Sequence, residues 1–386
     1  MSRKTFIILA IAAFCLANVT RAAYRSKVEL PRFSAEGAAH FRYTEMVAKG
    51  EPIPSLDARA QWPEGLRVFR ETSPFMEYLF GWAWRLIPGE KPNLATFIRY
   101  GTAFFFSLAV FPLSLLSARL WGSRGAGALT ALLFAVALPL VARSSGFELI
   151  RENVTFPLLV FHIFFYASAC AGGGMALAVL SGVFLCAALA SWHGAQFYLL
   201  PLLLFALVRS IAVVPDPCER RANRALVCAI TAAGVIVPYL REGRFMLSIS
   251  ASLAAAVLAI DLILHRTPRR PARRAVKETR RRVSRPKTTR TVLAVLVIAA
   301  IVGLGMASGR HFASYSHFFD LVLYKFRYLA KPDDPRLLPF DARAFWVGPF
   351  NSPDLLHLFV FALPLLLLLP KPLSTLVRRS KEGEYL

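Results

Sequence analysis

Long apolar blocks separated by short polar breaks run through most of this 386-residue chain. A helix needs roughly 20 apolar residues to cross a hydrocarbon core of about 30 Å, and the blocks have that length. The first covers 5–17, behind the basic flank Arg3-Lys4. It reads as an uncleaved signal anchor, with Ala22-Ala23 offering only a weak small-residue cleavage site. Further spans are predicted at 95–120, 125–142, 154–171, 175–191, 195–213, 225–240, 245–264, 291–306 and 355–369. The expectation is an all-α, polytopic transmembrane bundle of about ten spans.

The polar breaks are unequal. Two are large, at 23–94 and 308–354, and a short charged one lies at 143–153. Within the first, 73–87 is an apolar island carrying Glu77 and Arg85. It is short for a span and reads as an interfacial helix, with Trp82 and Trp84 at head-group depth. Gly172-Gly173-Gly174 reads as a tight turn between two spans. The expected organisation is a transmembrane domain over 1–370 and a tail over 371–386.

Charge supplies the orientation. The formal net charge is +23, a value that in a soluble protein would point to nucleic acid. Here twelve Lys or Arg against the single acid Glu278 lie in 266–290, between two apolar blocks. Such a run is a topology signal, because Lys and Arg stay cytoplasmic. It is compatible with anionic lipid head groups, and no nucleic-acid partner is expected. A cytoplasmic N-terminus places 215–224, 266–290 and the tail with Arg378, Arg379 and Lys381 inside. The loops 23–94, 143–153 and 308–354 then fall outside, and the C-terminus is cytoplasmic. Long translocated loops are exempt from the rule. A composition 56% hydrophobic, with mean hydropathy +0.50, agrees with a lipid-embedded chain; a bacterial-type inner membrane is the expected location. The five cysteines show no metal spacing and no disulfide framework, and read as small buried hydrophobes.

The candidate chemistry sits in the outer segments. Carboxylates contributed by different loops suit metal and phosphate chemistry, since hard cations take oxygen ligands. Glu36, His40 and Tyr43 share one face if 35–43 is helical. Arg143, Glu148, Arg151 and Glu152 crowd a span mouth, where charge is costly unless it pairs or binds something. Self-compensation, with Arg151 pairing to Glu148 or Glu152, is the plainer reading. Segment 311–354 carries Asp320, Asp333, Asp334 and Asp341, and the aromatic-rich Tyr324-Lys325-Phe326-Arg327-Tyr328. Trp192-His193-Gly194 marks the junction of two spans, as an aromatic-belt residue and a turn glycine.

In order and spacing these pieces resemble the catalytic subunits of the oligosaccharyltransferase family, a group with the GT-C fold. The resemblance rests on Glu36, His40, Phe41 and Arg42, followed by Trp62-Pro63-Glu64-Gly65. It continues with Arg143, Gly146, Glu148 and Glu152, with Ser191-Trp192-His193-Gly194, and with the long outer loop 308–354. The family commonly has Asp where Glu36 stands, and its acidic pair is more closely spaced. Its soluble-domain W-W-D-Y-G motif has no counterpart in these residues, and 308–354 contains no Glu.

The resemblance implies transfer of a sugar or glycan from a polyprenyl-phosphate or pyrophosphate donor to a protein, lipid or polymer acceptor on the outer face. It implies catalytic roles for Glu36, Arg143, Glu148 and Glu152, and Mg2+ or Mn2+ held by Glu36 with Glu148 or Glu152. Substrate contacts would fall to His40, Arg42, Trp192, His193 and Arg327. Competing expectations are a transferase using polyprenyl-phosphate monosaccharide on a lipid or polymer, a transporter or flippase, and an inactive truncated homologue. A flippase would place its polar residues at mid-membrane, whereas here the acids concentrate in the loops.

Overall fold

The computed structural model describes residues 1–26, 33, 35–60, 63–212, 215–264, 327 and 334–337. The chain divides into two compact units, Met1–Gly309 and Arg310–Leu386. The spans expected at 291–306 and 355–369, and the basic loop 266–290, lie outside the described residues.

Ser2 caps α1 (Arg3–Arg25) by accepting from the Thr5 amide at 3.1 Å. Phe6, Ala10, Ala13, Ala17 and Arg21 recur every three or four positions and form its buried stripe. Ile7, Ile8, Ile11 and Val19 are exposed on the remaining faces. Small residues turned to neighbours and large ones turned outward are the pattern of a helix in lipid.

Next come α2 (Ala35–Lys49), a two-residue ribbon of β1 (Leu56–Asp57) against β2 (Leu66–Arg67), α3 (Val68–Glu71) and α4 (Phe75–Arg85). The ribbon is antiparallel, with Leu56 opposite Arg67 and Asp57 opposite Leu66. The apolar island of the sequence is thus a helix. Gly81 lets it lie close on α2, since a Cβ there would meet Val47 at 2.6 Å and the Thr44 carbonyl at 3.0 Å.

Asn93 caps α5 (Leu94–Ser107), which with α6 (Val110–Trp121) forms one 28-residue apolar stretch ending at Gly122, φ 61°. α7 (Arg124–Val136) returns along α6 and α1, and Gly127 sits where a Cβ would meet the Ser114 carbonyl at 2.4 Å. A 54° bend separates it from α8 (Leu138–Ser144), placed where Pro139 cannot continue a helix begun upstream. Phe106, Phe134 and Phe156 stack across this group at 5.3 to 6.2 Å.

α9 (Glu152–Ser168) and α10 (Gly174–Ser191) are joined by a five-residue π-turn, Ala169–Gly173. Gly172 and Gly174 have φ of 97° and 83°, which L-side chains rarely adopt. His162 Nδ1 lies 2.9 Å from the Ser181 carbonyl and Phe161 stacks on Phe184 at 5.0 Å, so the two helices run antiparallel. The glycine turn expected from the sequence is therefore present.

α11 (Ala195–Ala212), α12 (Pro217–Ile236), α13 (Pro238–Glu242) and α14 (Ile249–Leu264) complete the described helices of this unit. Leu185, Leu199, Leu203, Leu226, Ile230 and Val257 are among the residues of their shared core.

Three stretches are long and apolar enough to cross a membrane: Arg3–Arg25, Leu94–Trp121 and Glu152–Ser191, the last being the antiparallel pair α9 and α10. The bent pair α7–α8 makes a fourth if it counts as one span. About ten crossings are therefore not reached among the described residues. The apolar runs of α11 and α14 are shorter, Ala195–Ser210 and Ile249–Leu262, and α12 opens on Glu219, Arg220, Arg221 and Arg224. In the second unit, Arg327 and Asp334 are exposed and Pro335–Leu337 forms a 3-10 turn.

Candidate functional site

Four segments of the first unit meet at one end of the bundle: the start of α2, the start of α4, the turn between α8 and α9, and the junction of α10 and α11. The close approach begins at Gly37, where a Cβ would stand 3.2 Å from the Leu149 amide nitrogen. That contact seats the first turn of α2 on the α8–α9 turn. The close α2–α4 packing at Gly81 then sets Glu77, one turn earlier, against His40.

The result is a row of charge. Arg151 Nη2 donates to Glu77 Oε1 at 3.1 Å, and His40 Nδ1 lies 2.7 Å from the same oxygen. His40 Nε2 lies 3.2 Å from Glu36 Oε1. The Arg151 and His40 side chains are each 4% exposed and Glu77 is fully buried, whereas Glu36 is 69% exposed. The row thus leads from the interior to solvent.

Both imidazole nitrogens face carboxylates, which favours the doubly protonated ring. Burial alone would lower the His40 pKa, but the hydrogen bonds to Glu36 and Glu77 carry it above its ordinary value. Burial likewise pushes Glu77 up, and His40 with the Arg151 charge brings it below the usual carboxylate range. The hydrogen bond from His40 lowers Glu36, helped by the charges of Arg151 and His193. Glu77 is therefore held ionised in a buried setting, which pairing makes tolerable.

Beside this row, Arg143 reaches Glu148 at 3.5 Å and Glu152 at 3.9 Å, all three side chains being partly exposed. Gly146, φ 85°, turns the chain here, and a Cβ would meet the Arg99 carbonyl at 2.6 Å. Gly194 supports the α10–α11 junction because its Cα lies against the Trp192 indole, 2.3 Å from where a Cβ would stand. His193 stacks loosely on Trp192 and Tyr239, at 6.1 and 5.9 Å.

Of the residues marked by sequence, Glu36, His40, Arg143, Glu148, Glu152, Trp192 and His193 belong to these meeting segments. Arg42 and Tyr43 turn instead to Asp57, at 2.7 and 2.8 Å. Asp57 is buried, also accepts from the Arg59 amide at 3.0 Å, and so pins the β-ribbon to α2. Burial would raise its pKa, but the hydrogen bonds from Arg42 and Tyr43 hold it low. Arg327 belongs to the second unit. Arg151 pairs with Glu77, and neither Glu148 nor Glu152 takes it.

Sequence reading missed Glu77 as a site residue. The signal was available: Met76, Glu77, Phe80 and Gly81 fall on one helical face, so a carboxylate there had to be buried with partners. Among the described residues, no group of three or more His, Cys, Asp or Glu is arranged to hold a metal. Glu36 is engaged by His40, and Glu148 and Glu152 by Arg143.

No family model matches the sequence, and no curated protein matches it. Among solved structures, the chain is similar to the archaeal oligosaccharyltransferase AglB from Archaeoglobus fulgidus, determined in complex with an inhibitory peptide and a dolichol-phosphate. The TM-score is 0.57 at 16% identity, over 87% of this chain and 40% of that one. The fold is oligosaccharyltransferase-like. The chain thus spans well under half of AglB, and the sequence resemblance on residues 36 to 194 agrees with the oligosaccharyltransferase-like fold at the level of architecture.

Proposed function

We propose that this chain is an integral membrane glycosyltransferase moving a sugar or glycan from a polyprenyl-linked donor to an acceptor bound at this end of the bundle. The observation that carries the proposal is the Arg151–Glu77–His40–Glu36 row beside the Arg143–Glu148–Glu152 turn, on an oligosaccharyltransferase-like fold. The dolichol-phosphate and peptide of the AglB complex support a lipid-linked donor and a peptide acceptor. The charge pattern supports about ten spans, cytoplasmic termini and a site on the outer face of a bacterial-type inner membrane.

In this reading the acceptor bonds to the anomeric carbon while the bond from that carbon to the donor's phosphate oxygen breaks, and the proton that the acceptor loses passes to the departing phosphate or to water. Glu36, held ionised by His40, suits a role as a fixed negative charge near the anomeric centre or the acceptor's hydrogen-bond donors. A carboxylate with a depressed pKa is a weak base, so electrostatic positioning is its better use. Arg143 offers a planar donor fork for the departing phosphate. Arg42 acts by holding Asp57, away from the reacting atoms. His193 and Trp192 complete the proposed substrate contacts of this unit.

Mg2+ or Mn2+, held by Glu36 with Glu148 or Glu152, is part of the proposal, and it would have to displace His40 and Arg143 from those carboxylates. The test is donor consumption by purified protein given a polyprenyl-pyrophosphate oligosaccharide or a polyprenyl-phosphate monosaccharide, with a peptide acceptor. Use of the second donor alone selects the monosaccharide transferase. Consumption of neither, by folded protein with metal supplied, overturns the proposal.

A further inference from the structure

On the other side of the α8–α9 turn lies a second cationic group, which the proposed reaction does not use. Arg25, at the end of α1, donates from Nη1 to the Ser145 carbonyl at 2.9 Å and the Arg99 carbonyl at 3.2 Å. Its guanidinium lies 3.9 Å from the centre of the Tyr100 ring. Arg99, in the second turn of α5, lies 5.0 Å from the Phe33 ring and within Coulombic reach of Arg25. One turn below Arg25, Arg21 is fully buried and donates to the Ser144 hydroxyl at 2.7 Å. None of the three forms an ion pair with a carboxylate among the described residues.

The unused donors are arranged for one kind of ligand. Among the described residues, buried Nε and Nη2 of Arg99 have no hydrogen-bond partner, and neither has buried Nη2 of Arg25. Nε and Nη2 form one edge of a guanidinium, the fork that takes two oxygens of a phosphate or carboxylate side by side. Adjacent cations that meet no carboxylate among the described residues at a span mouth are costly unless an anion joins them.

An apolar groove continues from the same place. Leu79, Phe80 and Ala83 of α4 face Phe97, Tyr100, Gly101 and Phe104 of α5 around a cavity of about 370 Å³. Tyr100 belongs to both features: its ring carries Arg25 and lines the groove. A charged end and an apolar end meeting at one ring match an amphiphile with a phosphate head.

We propose that Arg25 and Arg99 bind the phosphodiester of an anionic phospholipid, with one of its hydrocarbon chains in the α4–α5 groove. The site is separate from the Glu36 row and does not depend on the transferase reading.

Purified full-length protein, delipidated in detergent, tests this by native mass spectrometry against dioleoylphosphatidylglycerol, dioleoylglycerol, undecaprenyl phosphate and inorganic phosphate. Retention of phosphatidylglycerol is expected to exceed that of dioleoylglycerol and of inorganic phosphate at least about tenfold, given the strength of a charge-assisted fork. R99Q and R25Q are expected to lose most of that preference. F104Q, at an exposed groove position, is expected to weaken the lipid without changing the response to inorganic phosphate. R99K keeps the charge without the fork and serves where R99Q does not fold; an intermediate loss is expected. Equal retention of dioleoylglycerol, unchanged binding in R99K and R25Q, or preference for undecaprenyl phosphate overturns the assignment.

Discussion

His40 Nδ1 stands 2.7 Å from a Glu77 oxygen that also takes Arg151. One buried carboxylate therefore ties three elements together: α2, α4 and the residue that precedes α9. Removing it would leave two cationic groups in the interior without a counter-charge. E77A should cost about 3–5 kcal/mol, the usual penalty for breaking a buried pair on one side. E77M combined with R151M should cost less than the sum of the two single changes. Thermal unfolding in detergent reads both, and strict additivity would remove the pairing argument.

The pH response follows from the directions of the two shifts. His40 is raised, so its contribution is complete below its ordinary value of 6.5 and is lost as pH rises through the higher folded value. Glu77 is lowered, so its contribution is complete above its ordinary 4.5 and is lost as pH falls through the lower folded value. Thermal stability should be highest between these limits and decline on the alkaline side above 6.5. H40N should flatten the alkaline decline. An unchanged alkaline slope in H40N would assign that titration to another group.

Glu36 should matter to turnover and little to folding. Its side chain is largely exposed, and exposed ion pairs contribute at most about 1 kcal/mol. E36Q should leave the unfolding temperature nearly unchanged and lower donor turnover by about a hundredfold, the scale of one preorganised electrostatic group. A destabilised but fully active E36Q would reverse that assignment.

The metal component has its own test. Chelator should abolish donor consumption and Mn2+ or Mg2+ should restore it. E148Q and E152Q should then differ in the metal concentration needed for half-maximal rate, the true ligand requiring more. Full activity in chelator, with the protein folded, removes the metal and leaves Arg143 to stabilise the departing phosphate.

Gly81 offers a purely steric probe. A leucine there would press on Val47 and the Thr44 carbonyl and separate α2 from α4. The expected loss is about 1–3 kcal/mol, typical of overpacking, and V47A should recover part of it. Recovery of donor turnover along with stability would tie the α2–α4 contact to the site.

Periodicity made much of this architecture legible. The stripe of Phe6, Ala10, Ala13 and Ala17, the glycine turn at 172–174 and the shared face of Glu36 and His40 all follow from spacing that physics constrains tightly. What escaped was partner choice. Arg151 lies three and one residues from Glu148 and Glu152, yet its partner is Glu77, 74 positions away. Local spacing ranks neighbours along a helix, but a buried carboxylate arriving from another element outcompetes partly solvated ones, because its unpaired state costs more. The span count stays open for a related reason: hydropathy does not distinguish a short apolar helix in a protein core from one long enough for lipid, and the spans expected at 291–306 and 355–369 lie outside the described residues.

The bifurcated oxygen of Glu77 gives the molecule a sense of occupancy. Whatever neutralises the carboxylate at residue 36 leaves the imidazolium with one anionic neighbour, so its positive charge is then compensated by the shared oxygen alone. The guanidinium on that oxygen sits at the root of the segment bearing residues 148 and 152. A change of charge at the exposed end of the row is in this way met, through one atom, by the residue that opens α9.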